Sequence, residues 1–354
     1  MIIYFLNKQM NVIGLASNVL NNNGMYIHSD SKEDDIKTGS QSFEFTISYN
    51  ARNKRLAESC TGIGNGIIIG NSDESYVVTD TEQDWFAQEI TVYAESAGLN
   101  LINTQLEAVS APSHAQNFKY YFDKFFGSTE WNIGINELAD ETKKLEFDEE
   151  SGTARLQNLV SAFGGELGYS FEFVNNKVTA RYINIYQSRG SAAVKYLHLG
   201  KDIETFIIRR NGSDLVTAIK ATGKDGINLK YKSYDDGNLY LENGILYSRS
   251  GLAEWGQNGA HIIRSVSYDT NSTANLLTLA KRQLAEWEEP AVSYEAKTAK
   301  GFTDLFIGDN VIIQDLTGRT AYRTRVINVI RHDDEDMLEV TFGEYAALVG
   351  EDAE

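Results

Sequence analysis

Five histidines, His28, His114, His198, His261 and His332, are the side chains best suited to move a proton or hold a metal near neutral pH, and they are scattered along the 354 residues. None stands in a His-Glu-x-x-His arrangement, the helical spacing that turns two imidazoles toward one zinc ion. No Gly-x-Ser-x-Gly elbow is present to raise a serine nucleophile between a strand and a helix. No Gly-x-x-x-x-Gly-Lys-Ser/Thr loop is present to cradle phosphate. Ser29-Asp30-Ser31-Lys32 fits Ser-x-x-Lys, and Lys37-Thr38-Gly39 fits a second element of penicillin-binding enzymes. Both lie in what reads as one polar loop, residues 29–40, too close together to face each other across a substrate, so chance explains them. Gly62-Ile63-Gly64-Asn65-Gly66 looks like a phosphate loop, but Ile67-Ile68-Ile69 continues it as a strand, without the helix N-terminus that would bind an anion. It reads as a turn.

The single cysteine, Cys60, allows no intrachain disulfide and no cysteine-built zinc site, and reads as a small buried residue. A reducing cytoplasm is the expected place of synthesis. Acidic runs occur at residues 33–35, 148–150 and 333–336. Calcium needs carboxylates at alternating positions around a sharp turn, with a distal bidentate acid. The run Asp333-Asp334-Glu335-Asp336 lacks that spacing and reads as a solvated hairpin tip. Paired carboxylates could hydrolyse a glycoside, but 50 acids offer no pair that the sequence singles out. No catalytic, cofactor-binding or metal residue is therefore assigned, and no cofactor is expected.

A net charge of −18 repels phosphate backbones and argues against nucleic-acid binding, which needs a clustered basic face. With 42% apolar and 23% charged residues the composition is that of a globular chain, long enough for two or more cores. No apolar run approaches the roughly 20 residues of a spanning helix, so no membrane insertion is expected. The apolar start, Met1-Ile2-Ile3-Tyr4-Phe5-Leu6, lacks a basic leader and a cleavage site and reads as a first strand.

Period-two alternation dominates the elements that would position any site. Phe43, Phe45, Ile47 and Tyr49 alternate with Glu44, Thr46 and Ser48, giving one apolar and one wet face; Ile90 and Val92 continue the pattern. Phe171 and Phe173, then Val178, Ala180 and Tyr182, flank Asn175-Asn176, a hairpin signal. Further strands are predicted at 205–209, 216–222, 229–232, 262–268, 310–314, 324–330 and 338–342, in the style of small barrels or sandwiches.

Three segments switch to the helical period. Phe118, Tyr121, Phe122 and Phe125 form one stripe, with Ser113 as candidate N-cap after Pro112 and Gly127 as stop. Leu156, Leu159, Val160 and Phe163 form a second, ended by Gly164-Gly165. Leu277, Ala280, Leu284 and Trp287 form a third, closed by Pro290. Each stripe suits docking of a helix on a sheet, and core packing explains it better than a partner groove. The order is β (1–93), α plus β (94–190), β (191–223), mixed (224–290) and β (291–346), followed by a short acidic tail. The expected class is α+β and β-rich.

A family becomes visible in ordered motifs. Ala94-Glu95-Ser96-Ala97-Gly98-Leu99-Asn100-Leu101-Ile102 is followed by Gly127-Ser128-Thr129-Glu130-Trp131-Asn132-Ile133-Gly134 and by the run from Ala154-Arg155-Leu156 to Gly164-Gly165-Glu166-Leu167. Then come His198-Leu199-Gly200-Lys201-Asp202, the run from Leu215 to Gly223, Ala280-Lys281-Arg282-Gln283-Leu284 and Phe306-Ile307-Gly308-Asp309-Asn310-Val311. Arg325-Val326-Ile327-Asn328-Val329-Ile330 and Phe342-Gly343-Glu344 close the series. Each motif is weakly specific alone. The ordered set resembles the N-terminal hub module of tail-associated proteins of siphophages and prophages, often labelled prophage tail endopeptidase, and through them the baseplate hub of contractile tails.

The resemblance implies two small β-barrels: a first hub barrel at 1–93, and a second formed by 191–223 plus 291–346. It implies an α+β domain at 94–190 and an inserted mixed domain at 224–290. In such hubs two barrels from each of three subunits form a pseudo-sixfold ring. The resemblance therefore implies a homotrimer that joins tail tube to tip and lets DNA pass through its lumen without specific binding. Implied partners are the distal tail protein, tail tube and tape measure proteins, and tip or receptor-binding proteins. The implied place is the virion tail tip, after assembly in the host bacterial cytoplasm. Many relatives carry a C-terminal cell-wall hydrolase or fibre; this chain stops at Glu354, so any lysin activity is expected elsewhere, and the protein is expected not to be an enzyme. Two other readings stay open. One is a peptidoglycan hydrolase of the tail tip, and the other a saccharide-binding module built on Tyr231, Tyr234, Tyr240 and Tyr247.

Overall fold

The computed structural model describes residues 1–19, 24–36, 39–70, 74–96, 105–174, 177–268, 270, 272–317 and 321–349. The Asn175-Asn176 turn, the acidic tail 350–354, Lys37-Thr38 and the end of the 94–102 motif lie outside the described residues. Contacts divide the chain into two units, residues 1–206 with 295–354, and residues 207–294.

The first seven strands are β1 (Ile2–Leu6), β2 (Val12–Ser17), β3 (Met25–Asp35), β4 (Gln41–Ser48), β5 (Gly66–Ile69), β6 (Ser75–Asp84) and β7 (Glu89–Ser96), with helix α1 (Lys54–Cys60) between β4 and β5. Their pairings run β3-β2-β1-β5-β6-β7-β4 and return to β3, so the hydrogen-bonded cycle has no end. Alternation drives this closure. Strand β7 is buried at every second residue, and Phe43, Phe45 and Ile47 of β4 turn inward with Ile90, Val92 and Ala94. Ile3, Phe5, Ile27, Ile67, Val78 and, from α1, Ala57 and Cys60 complete that core. A closed cycle leaves no unpaired edge for another chain to extend.

Next come the short strands β8 (Gln105–Leu106) and β9 (Gln116–Asn117), helix α2 (Phe118–Phe126), β10 (Trp131–Asn136), β11 (Thr142–Lys143), β12 (Glu150–Ser151), helix α3 (Gly152–Phe163), β13 (Glu166–Val174) and β14 (Lys177–Tyr186). The sheet β10-β14-β13 receives both helices. Phe118, Tyr121, Phe122 and Phe126 of α2 meet Leu156, Leu159, Val160 and Phe163 of α3 in one core, which also takes in Leu6 and Ile68 from the first cycle. Asn117, not Ser113, caps α2: its side chain accepts from Tyr120 N, whereas Ser113 lies before β9. Ser151 caps α3, and Gly164 ends it in the left-handed conformation.

Six more strands, β15 (Lys195–His198), β16 (Ile203–Asn211), β21 (Ala291–Thr298), β22 (Asn310–Gln314), β23 (Ala321–His332) and β24 (Met337–Val349), pair in the path β15-β22-β23-β24-β21-β16. The two ends of the path are successive in sequence, joined by the turn at 199–202. Leu197, Ile203, Val311, Ile313, Val326, Leu338 and Phe342 are buried there.

The second unit, residues 207–294, begins within β16 and ends within β21. It holds β17 (Ala218–Thr222), β18 (Leu239–Glu242), β19 (Ile245–Ser248), helix α4 (Arg249–Trp255), β20 (Ile263–Ser267) and helix α5 (Thr273–Trp287). Its sheet, β18-β19-β17-β20, packs Val216, Ile219, Ala221 and Leu246 against Leu276, Ala280 and Leu284 of α5.

Two further expectations fail. Residues 29–40 are not one loop, because β3 runs as strand to Asp35. Residues 229–232 form no strand; Leu229 is a core residue in an irregular segment, and the strands nearby are β18 and β19. Among the described residues no helix is long and apolar enough to cross a membrane.

Candidate functional site

The histidines are dispersed. His28 meets Glu89 at 3.1 Å, His198 meets Asp202 at 3.0 Å, His261 meets Thr217 at 3.0 Å and His332 faces the Asp30 carbonyl at 3.3 Å. Lys32 of the Ser-x-x-Lys fragment is drawn to Asp333 at 3.3 Å and Glu74 at 3.8 Å. Burial pushes the Cys60 thiol up to about 11, which keeps it protonated and unreactive. No group of three or more His, Cys, Asp and Glu among the described residues is placed to hold a metal ion. Tyr240 and Tyr247, cross-strand partners on β18 and β19, stack at 5.1 Å with Arg249 over Tyr240, whereas Tyr231 stands apart and exposed.

The residues that the fold brings together are charged ones far apart in sequence. Strand β3 has two partners on one side. Its first residues, Met25 and Tyr26, pair with β2, and its last four, Lys32 to Asp35, pair with β23. The sheet thus passes without a break from the first cycle into the second set of strands. The polar pairs there, Asp35 with Asn328 and Lys32 with Arg331, suit a seam between two layers rather than an apolar core.

Side chains tie a third element to that seam. Arg189, just after β14, forks onto Asp34 of β3, with Nη1 to Oδ1 at 3.0 Å and Nη2 to Oδ2 at 2.6 Å. Arg325 of β23 forks onto Glu166 of β13 at 2.5 and 2.8 Å. Glu166 also accepts from the Arg189 backbone N–H, and Arg325 donates to the carbonyls of Arg189 and Gly308. Two parallel N–H···O bonds fix a guanidinium and a carboxylate in one plane, so each fork constrains orientation as well as distance.

Backbone packing at the seam is equally tight. A Cβ on Gly190 would lie 2.1 Å from the Gly308 carbonyl carbon, and both glycines hold positive φ, +87° and +83°. Only a residue without a side chain fits both requirements. Asp309, almost fully buried, then accepts from Ser191 N at 3.0 Å and meets Lys195 Nζ at 3.0 Å. Beside the forks lies a cleft of about 560 Å³ lined by Lys32, Glu74, Tyr169, Phe306 and Arg331 among others.

The acidic run at 333–336 forms the turn between β23 and β24, and it is tied down. Asp30, 2% exposed, accepts from Asp333 N at 3.2 Å and Asp334 N at 3.1 Å, while Ser29 N donates to Asp334 at 2.9 Å. Burial, then the carboxylates of Asp333 and Asp334, push the Asp30 carboxyl up from its ordinary range against these two donors. Nothing in this constellation pairs a free base with a nucleophile. The forks hold their carboxylates in fixed geometry, and what such an arrangement does is lock the first strand cycle, the α+β region and the second strand set into one body.

Residues 191–345 match the family described as prophage endopeptidase tail. No curated protein matches the chain. Among solved structures the chain is similar to the prophage tail protein gp18 from Listeria monocytogenes EGD-e, at 13% identity and a TM-score of 0.56 over 96% of this chain and 93% of that one. It is similar to the prophage MuSo2 43 kDa tail protein from Shewanella oneidensis, at 12% identity and a TM-score of 0.58 over 97% and 98%. The tail protein from Neisseria meningitidis MC58 matches at 13% identity and 0.54 over 89% and 91%. At these identities the likeness speaks for fold, and it extends over almost the full length of each partner. The resemblance read from the ordered motifs holds: residues 191–345 are similar to the prophage endopeptidase tail family, and over nearly its whole length the chain has the β-rich fold of solved phage tail proteins.

Proposed function

We propose that the chain is a hub of a phage tail tip, acting by assembly and not by catalysis. The observation that carries this reading is the seam: pairing of β3 with β23 joins the closed cycle to the second strand set. Each subunit then brings two barrel-like segments in fixed relation, and three subunits complete a ring of six. In this reading the hub barrels are residues 1–93 and 191–223 with 291–346. The α+β domain is 94–190, and the inserted domain is 224–290. The ring joins the tail tube, through the distal tail and tape measure proteins, to tip or receptor-binding proteins. It is assembled in the bacterial cytoplasm and works in the virion. The charge of −18 fits a lumen wall that repels passing DNA; a basic lumen would sink that part of the reading.

In this reading the word endopeptidase in the family description does not carry over to this chain. Cell-wall zymography of the purified chain is expected to show no clearing. Negative-stain images of the oligomer are expected to show six lobes around a lumen with threefold symmetry. Clearing bands, or particles without a lumen, would each refute the corresponding half of the proposal.

A further inference from the structure

The hairpin of β6 and β7 ends in Trp85 and Phe86, which are 72% and 100% exposed. Large aromatic side chains are seldom left fully in water, and an adjacent pair at a loop tip marks an interaction site. The tip is held in shape. Asp84 Oδ1 accepts from Phe86 N at 2.7 Å and Ala87 N at 2.9 Å, Gln88 takes positive φ, and its carbonyl accepts from Tyr49 N at 3.0 Å. Lys54 Nζ of α1 lies 4.1 Å from the centre of the Trp85 ring. Little backbone ordering is left to occur on binding, which favours affinity.

The strand face that runs up to this tip is acidic. Register places Glu44 and Asp80 on either side of Tyr93, and Glu82 opposite Thr91, on the face turned away from the core of Phe45, Ile90 and Val92. Glu44, Asp80 and Glu82 are exposed. The field they make is strong enough to push the Tyr93 phenol up from its ordinary range, Glu44 contributing most.

We infer that the β6–β7 tip and the adjoining acidic face form a docking surface for a protein partner with a basic surface and an apolar recess. The recess takes Trp85 and Phe86 as anchors, and the basic rim meets Glu44, Asp80 and Glu82. Charge complementarity selects this occupant: a second copy of the chain would bring its own excess of negative charge against the strip, and an anionic lipid surface would be repelled. The surface is distinct from the seam and does not depend on ring formation.

The test is a fluorescence-anisotropy titration of the full chain with labelled amphipathic peptides of alternating leucine and lysine, and with the same peptides carrying glutamate for lysine. The Leu–Lys peptide is expected to bind in a salt-sensitive way, and the Leu–Glu peptide not to bind. A Trp85→Ala/Phe86→Ala variant, unchanged in charge, is expected to weaken Leu–Lys binding by about tenfold or more. A Glu44→Gln/Asp80→Asn/Glu82→Gln variant is expected to weaken it and flatten the salt dependence. Circular dichroism checks that both variants fold. Equal binding of both peptides, or unchanged affinity in the aromatic variant, would overturn the inference. So would anionic vesicles outcompeting the Leu–Lys peptide, or an oligomer in light scattering that the aromatic variant dissolves, which would assign the tip to a second copy.

Discussion

The first strand cycle and the seam beside it solve the same problem with opposite chemistry. Inside the cycle, Phe5, Phe43, Phe45, Ile47 and Val92 are wholly buried and the strands pair all the way round. At the seam, Asp34, Arg189, Glu166 and Arg325 hold three parts of the chain by forked ion pairs, with side chains still touching solvent. The contrast teaches a division of labour. Apolar burial supplies stability without direction, whereas forked pairs supply orientation with little net energy. The proposed hub role would need the second as much as the first.

The largest effect is expected where the cycle loses volume. Phe45→Ala should destabilise the protein by about 3–5 kcal/mol, measured by chemical denaturation, because it removes a buried ring that stacks on Phe43 at 4.6 Å. Gly190→Ala tests backbone contact at the seam. The added methyl collides with Gly308 and sits on a left-handed backbone, so roughly 2–4 kcal/mol should be lost. A loss below about 1 kcal/mol would mean that the seam yields and is not a fixed joint.

Arg325→Met should cost roughly 1–3 kcal/mol, since the Glu166 carboxyl loses its fork partner. The pair is partly exposed, which keeps the effect below that of a fully buried pair. Adding Glu166→Gln to Arg325→Met should recover part of the loss, and simple additivity of the two would break the claim that they act as one clamp. The smallest effect concerns pH. The Asp30 carboxyl is raised in the folded state above its ordinary 3.8, so the folded protein binds the proton more tightly than the unfolded chain does. Its contribution to stability therefore rises as pH falls through the folded value toward 3.8, against the usual trend of acid unfolding. Denaturation of wild type and Asp30→Asn across that window should show wild type gaining relative to the variant on acidification.

Legibility followed the chemistry of each region. The cycle was readable because its strands put apolar side chains on one face, as in Phe43-Glu44-Phe45-Thr46-Ile47. The aromatic and leucine stripes of α2, α3 and α5 were readable for the same reason at the helical period. Strand β3 was not, because Ser29 to Asp35 is polar on both faces: beyond the cycle it meets β23 and Arg189 instead of a core. The forks were invisible because Arg325 and Glu166 are 159 residues apart and neither sits in a motif. Asn243-Gly244, both at positive φ, is the favoured two-residue hairpin turn and marks β18 and β19.

The measurement that bears most directly on the hub is the mass of the purified chain by light scattering across a concentration series. The account predicts a species of three times 39.5 kDa that persists on dilution. A dimer stable across the same range would contradict it, because two copies of a twofold arrangement cannot close a ring of six barrels.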